Sequence, residues 1–193
     1  MKKIAIKSKA LVIDKVQTKF VGKIRNCNIE NLKSNEILVK LSYSSINNKD
    51  ILVCNGLFWG CRKYPLIPGI DGSGIVIKSR SNKFKKGDNV AIIASDAGSK
   101  TPGCFSSYVK IKDVWVNKLT SKLSGKNAMI FGTAGFTAMS IVNQIQKTKN
   151  KKSILITGAN GGVGLFSTFI LSKLGHYVTA VTRNNTNYLL KLG

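Results

Sequence analysis

The run Ser153-Ile-Leu-Ile-Thr157 passes directly into Gly158-Ala-Asn-Gly161-Gly-Val-Gly164 and then into the apolar stretch Leu165–Leu174. No other feature limits the possible folds so strongly. A short, wholly apolar run suits a strand buried on both faces of a parallel sheet. Leu165–Leu174 has helical spacing and is stopped by Gly175, and Tyr177–Thr182 reads as a second strand. Strand, glycine turn, helix and strand make one βαβ unit. The glycines bring bare main-chain N–H groups to a helix start, where unsatisfied donors and the positive end of the helix dipole favour an anion. Side chains there would block the approach. Gly158 is expected to allow the tight turn, Gly161 to let a diphosphate come close, and Gly164 to let helix pack on strand. Asn160, Gly162 and Val163 complete the expected cofactor-binding segment.

The second strand indicates which dinucleotide fits. An NAD site usually carries Asp or Glu about twenty residues beyond the turn, on the ribose 2′-hydroxyl, whereas a 2′-phosphate needs a cation. Val181 is followed by Thr182-Arg183-Asn184-Asn185, with no acid. An Arg183 fork beside a Thr182 donor points to NADPH. An exposed loop arginine remains the plain alternative.

The first ~120 residues read differently. Ala10–Ile13, Glu36–Leu41, Gly74–Ile77, Asn89–Ile93 and Ser107–Ile111 are strand-like runs between Asn-, Gly-, Lys- and Asp-bearing turns, as in a small barrel or sandwich. The character changes near Leu123. From Asn127 to Ile145 apolar residues recur at helical spacing, interrupted by Gly132 and Gly135. The expected organisation is a substrate domain over 1–122 and a partial dinucleotide-binding domain over 123–193. The last residues, Asn187–Leu192, read as the start of another helix.

Composition mostly removes classes. The chain has 193 residues with 31 Lys and Arg against 8 Asp and Glu, a net charge of +23. That balance alone would suggest a polyanion partner. Yet only Arg25, Arg62, Arg80 and Arg183 are arginines, and the lysines are scattered, so solvated surface is the expected role and a nucleic-acid partner is not. A basic nucleic-acid-binding protein on a reductase-like fold is the alternative from another class. Cys27, Cys54, Cys61 and Cys104 form no C-x-x-C pair and His176 is the lone histidine, so no metal site is expected. No stretch approaches the ~18 apolar residues of a membrane span. Lys7 and Lys9 interrupt any signal core, and a cytoplasmic location is expected.

Five segments occur in order: Tyr43-Ser-Ser-Ile-Asn47-Asn-Lys49-Asp50, Pro68-Gly-Ile-Asp71-Gly-Ser-Gly74-Ile-Val76, Phe84-Lys-Lys-Gly87-Asp88-Asn-Val90, Gly132-Thr-Ala-Gly135-Phe-Thr-Ala138-Met139 and Thr157-Gly-Ala-Asn-Gly161-Gly-Val-Gly164. Together they resemble the zinc-free, quinone-oxidoreductase-like branch of the medium-chain dehydrogenase/reductase superfamily, and within it the acrylyl-CoA reductase group. The resemblance implies a GroES-like β-barrel followed by a Rossmann (doubly wound α/β) domain, with the nicotinamide in the cleft between them. It implies reduction, with NADPH, of a carbon–carbon double bond conjugated to a carbonyl, the substrate being an enoyl-CoA or a quinone-like molecule. Asn47 then lies near the nicotinamide and substrate carbonyl as the candidate catalytic donor, and Thr137 contacts the nicotinamide end of the cofactor. Tyr43 and Asn48 are candidate substrate contacts, Asn48 standing where the family commonly has Tyr. Ile70 stands where zinc enzymes of the superfamily have a histidine ligand, and Asp71 where they have Glu.

Plainer roles are open at several of these positions. Asn47 also suits the N-cap of a helix starting near Lys49. Asp71 and Asp88 also suit turn-holding, and Tyr43 a core or cleft-wall aromatic. A doubly wound domain has two βαβαβ halves, and only one βαβ unit is visible here. The Rossmann domain is therefore expected to be incomplete, leaving apolar surface on Ile154–Ile156 and Val178–Val181. The chain is expected to be a truncated product, a gene fragment or half of a split enzyme, inactive alone, with a homodimer as the full-length form.

Overall fold

The computed structural model describes residues 6–61, 63–147, 150–183 and 187–191. The chain divides into two compact units, Met1–Gly132 and Thr133–Gly193. The division falls later than the change of character near Leu123, because the first turns of the long helix pack on the first unit's core.

In the first unit, β1 (Ile6–Val16) and β2 (Lys19–Ile29) form an antiparallel ribbon in continuous register from Ile6 opposite Ile29 to Val16 opposite Lys19. β2 carries Lys19, Lys23, Arg25, Asn26 and Asn28 and is mostly exposed, so it has no alternating pattern to read from sequence. It is a strand because β1 supplies its ladder. A five-stranded antiparallel sheet follows, in the order β6 (Tyr108–Lys112), β3 (Glu36–Tyr43), β4 (Gly72–Ser79), β5 (Asn89–Ile92), β7 (Val116–Lys118). The ribbon is stitched to the sheet side by main-chain bonds: Leu11 N–H donates to Phe105 O (2.9 Å), and Ile13 exchanges bonds with Leu66 (2.8 and 3.0 Å). The result is a partly open barrel, filled by Ile37, Val39, Val76, Val90, Ile92 and Val109. Ile37, Leu38 and Val39 are buried consecutively, because the β3–β4 register shifts between Leu38 and Val39 and breaks the two-residue alternation.

Two helices bear on the site. α1 (Asn48–Cys54) leaves β3 through Ser44–Asn47. α2 (Gly125–Gln146) is broken at Gly132, where φ is 50° and ψ is −156°; Gly135 causes no such break. Its first segment sets Ala128 and Met129 against Ala91 of β5. By length and composition α2 is the one helix among the described residues that reaches bilayer-spanning size, where the sequence led to the expectation of none.

The second unit holds the rest of α2, β8 (Ser153–Thr157), α3 (Gly162–Lys173), β9 (Tyr177–Val181) and α4 (Asn187–Leu190). β8 and β9 pair in parallel from Ser153 opposite Tyr177 to Thr157 opposite Val181. This is the expected βαβ unit. Leu155 is 66% exposed and Val181 42%, so the two-stranded sheet does leave apolar surface uncovered.

Candidate functional site

The second unit builds an anion cradle from main chain alone. Gly158, with φ +64°, turns the chain out of β8. Gly161 N–H donates back to Gly158 O (2.9 Å), so that amide serves the turn itself. Gly161 is also the N-cap of α3 and offers no side-chain cap. The first-turn amides of Gly162, Val163 and Gly164 are thereby left for an outside acceptor. Gly158, Asn160, Gly161 and Gly162 are exposed and Val163 is half-buried. A cavity of about 500 Å³ runs beside them, walled by Ile141, Ile154, Ile156 and Leu171.

The close approach at Gly164 agrees with the sequence expectation, and Gly162 adds a second. A Cβ on Gly164 would stand 2.4 Å from Gly158 O and 2.7 Å from Ala159 Cα, so Gly164 permits the helix to sit on the turn. A Cβ on Gly162 would meet Ala134 Cβ at 2.9 Å. This second close approach, of Gly162 against α2, is one that spacing alone did not reveal. Asn160 accepts from Tyr188 Oη (3.3 Å) of α4. Thr182 is half-buried and Arg183 exposed just beyond β9, while Asn184 and Asn185 lie outside the described residues. The Thr137 hydroxyl donates to Thr133 O (2.7 Å), one turn back along α2, leaving only its acceptor capacity.

The first unit holds a polar cluster centred on Asp71, which is fully buried. Ser45 Oγ donates to Asp71 Oδ2 (2.7 Å), Asn47 Nδ2 donates to the same oxygen (2.9 Å), and Ser44 Oγ donates to the Asp71 carbonyl (2.6 Å). Gly132 closes over them: a Cβ there would lie 2.6 Å from Asp71 Oδ2 and 2.8 Å from Ser45 Oγ. Asn47 occupies the N-cap of α1, where its own N–H donates to Asp50 Oδ2 (2.8 Å). Its side chain is held by Asp71, which fixes the amide with nitrogen inward. One of the two Nδ2 hydrogens is committed to that bond, and the side chain also joins the capping box with Asp50 at the start of α1.

Asp50 ties the start of α1 to the loop before β4, accepting from Gly69 N–H (3.1 Å) and Ile70 N–H (2.9 Å) on Oδ1. Burial pushes its carboxyl up, while the N–H donors from Asn47, Ile70 and Gly69 pull it back. Burial, then the neighbouring Asp71 and Asp50, also push up the thiol of Cys104, which is an inert core group here. Tyr43 is 48% exposed and Asn48 exposed, and neither belongs to the Asp71 cluster. Among the described residues no group of three His, Cys, Asp or Glu side chains is arranged to hold a metal.

Residues 33–121 match the alcohol dehydrogenase GroES-like domain family. Acrylyl-CoA reductase AcuI of Ruegeria pomeroyi is 38% identical over 192 residues, covering 95% of this chain and 58% of that protein. Residues 33–121 are thus those of a GroES-like domain, and the rest of the chain is similar to reductases of the same kind. Two solved structures are similar to the chain. The yhdH oxidoreductase from Salmonella enterica, in complex with NADP, has a TM-score of 0.88 at 33% identity and covers 96% of this chain and 59% of its own. The Bacillus subtilis protein yhfP, with NAD bound, has a TM-score of 0.87 at 35% identity, covering 98% and 59%. The chain therefore spans somewhat over half the length of the relatives it matches. The GroES-like barrel and the Rossmann-type βαβ unit expected from sequence are both present.

Proposed function

We propose that the protein is the barrel and phosphate-turn portion of an NADPH-dependent reductase acting on a carbon–carbon double bond conjugated to a carbonyl, with an enoyl thioester of the acrylyl-CoA type as substrate. The observation carrying this reading is the uncapped, exposed start of α3. Its N-cap, Gly161, supplies no side-chain cap, beside a turn where a Cβ on Gly164 would collide. The site fits a dinucleotide diphosphate by the chemistry of its donors. Gly158, Gly161, Gly162, Val163 and Gly164 would hold the diphosphate, Arg183 and Thr182 a 2′-phosphate, and Thr137 the nicotinamide end.

When bound, NADPH supplies the hydride for the β-carbon. As that carbon is reduced, negative charge moves to the carbonyl oxygen. Asn47 is the donor we assign to that oxygen, through its side-chain amide. Asp71 and Ser45 act as positioning residues, since the carboxylate selects which face of the amide points outward. No metal is assigned a part.

NADPH titration of the 193-residue chain, followed by cofactor fluorescence and calorimetry, tests the reading. Saturable binding is expected, and Gly161→Val should abolish it while the circular dichroism spectrum is retained. Absence of binding, or binding indifferent to Gly161→Val, would remove the reading's support.

A further inference from the structure

The segment after α1 contains apolar and basic groups that neither the barrel core nor the Asp71 cluster uses. Trp59 is 83% exposed and Leu57 70%. A folded chain normally covers a ring of that size, and an uncovered tryptophan at the mouth of a cavity usually marks a contact surface. Phe58 lies beside it, ring centroids 5.8 Å apart, and Lys49 Nζ sits 4.8 Å over the Phe58 ring. Trp59, Gly60, Lys63, Ser99 and Lys100 line a cavity of about 380 Å³. That volume falls within the range of about 300–1,000 Å³ usual for small-ligand sites.

Among the described residues the lining contains two lysines and no acid. Asp96 lies next to it and pairs with Lys100 at 3.3 Å, with 62% of the lysine side chain exposed. A solvated pair of this kind is weak and yields readily to a better anion. Both lysines stand beside an aromatic face. A planar ring stacked on Trp59, with phosphates reaching Lys63 and Lys100, satisfies all three groups together. A plain fatty chain would leave the lysines without a role, and inorganic phosphate would leave the ring exposed.

We propose that this pocket receives the phosphorylated adenosine end of the thioester substrate, the adenine on Trp59 and the phosphates on Lys63 and Lys100. The inference rests on the reductase reading for the rest of that substrate, but its own site is separate from the glycine turn in sequence and in chemistry.

Adenosine 3′,5′-bisphosphate, titrated calorimetrically into the full chain, is the probe. Saturable binding is expected. It should weaken by about tenfold or more in the Lys63→Glu/Lys100→Glu variant and by about fivefold or more in Trp59→Ala. These side chains are exposed, so the fold is not at stake, and Gly161→Val should leave the probe's affinity unchanged. Failure to bind, binding that survives the double lysine reversal, or binding lost in Gly161→Val would overturn the proposal. NADPH bound at the turn with no bisphosphate bound at the pocket would sink this inference and leave the reductase reading standing. The opposite pattern would sink that reading and keep the pocket.

Discussion

Gly132→Ala tests whether the break in α2 is a built part of the Asp71 cluster. The backbone at φ 50°, ψ −156° lies in a region that essentially only glycine occupies, and an alanine forced there costs about 1–3 kcal/mol. The added methyl would lie 2.6 Å from Asp71 Oδ2 and 2.8 Å from Ser45 Oγ. Neither neighbour can swing aside without breaking the bonds to Asn47 and Ser45, which adds a penalty of about 1–3 kcal/mol. The reduced freedom of the unfolded chain returns about 0.4–1 kcal/mol. The net loss is about 1–6 kcal/mol, a large share of a total stability of about 5–15 kcal/mol. Urea unfolding monitored by circular dichroism reads this directly. With a slope of about 2 kcal/mol/M, a loss of ~3 kcal/mol lowers the midpoint by about 1.5 M. Adding Ser45→Ala removes one of the two close contacts, so the double variant should lose less than the sum of the singles. A midpoint for Gly132→Ala within about 0.3 M of the parent, or strict additivity in the double variant, would refute the packing argument.

Arg183→Ala should erase a preference for NADPH over NADH of about tenfold or more, the worth of a charge-assisted phosphate contact, in paired titrations with the two cofactors. An unchanged ratio would release Arg183 from its role. In an assembled enzyme that carries the rest of the dinucleotide domain, Asn47→Ala should slow reduction of acrylyl-CoA by about 10²–10³-fold, as loss of an oxyanion donor does, while NADPH affinity stays the same. An equal loss of cofactor affinity would make Asn47 a structural residue only. Asp88 is held below the usual carboxylate range by its bond to Lys118 Nζ (2.7 Å) and by Lys85 N–H (2.9 Å). Its folded value being depressed, it adds stability above the ordinary Asp value of about 3.9, and this is lost as pH falls through the folded value. The stability gap between parent and Asp88→Asn should therefore be full at neutral pH and close in acid. A gap that widens on acidification would contradict the assignment.

The phosphate turn was legible in sequence because its chemistry is local. Glycines must stand where Cβ atoms would collide, and a strand and a helix must flank them, so Gly158–Gly164 announces itself within a short window. The role proposed for Arg183 rests on a similar local pattern, a cation where an acid would otherwise follow the second strand. β2 was not visible, since an exposed, lysine-rich strand exists only through its pairing with β1. Gly162 was assigned no packing role, because Ala134, its neighbour in space, lies far off in the chain.

By itself, then, the amino-acid order determined the βαβ unit, the barrel-like strand succession and the superfamily resemblance, all of which depend on neighbours a few residues apart. Folding decided what Asn47 does with its side chain. Asp71, Ser45 and Gly132 converge on that amide from three separate stretches of chain, and only the β3–β4 pairing and the break in α2 bring them within bonding distance. A hydrogen bond depends on separation in space over about three ångströms, and spacing along a sequence carries no such information once the partners sit on different elements.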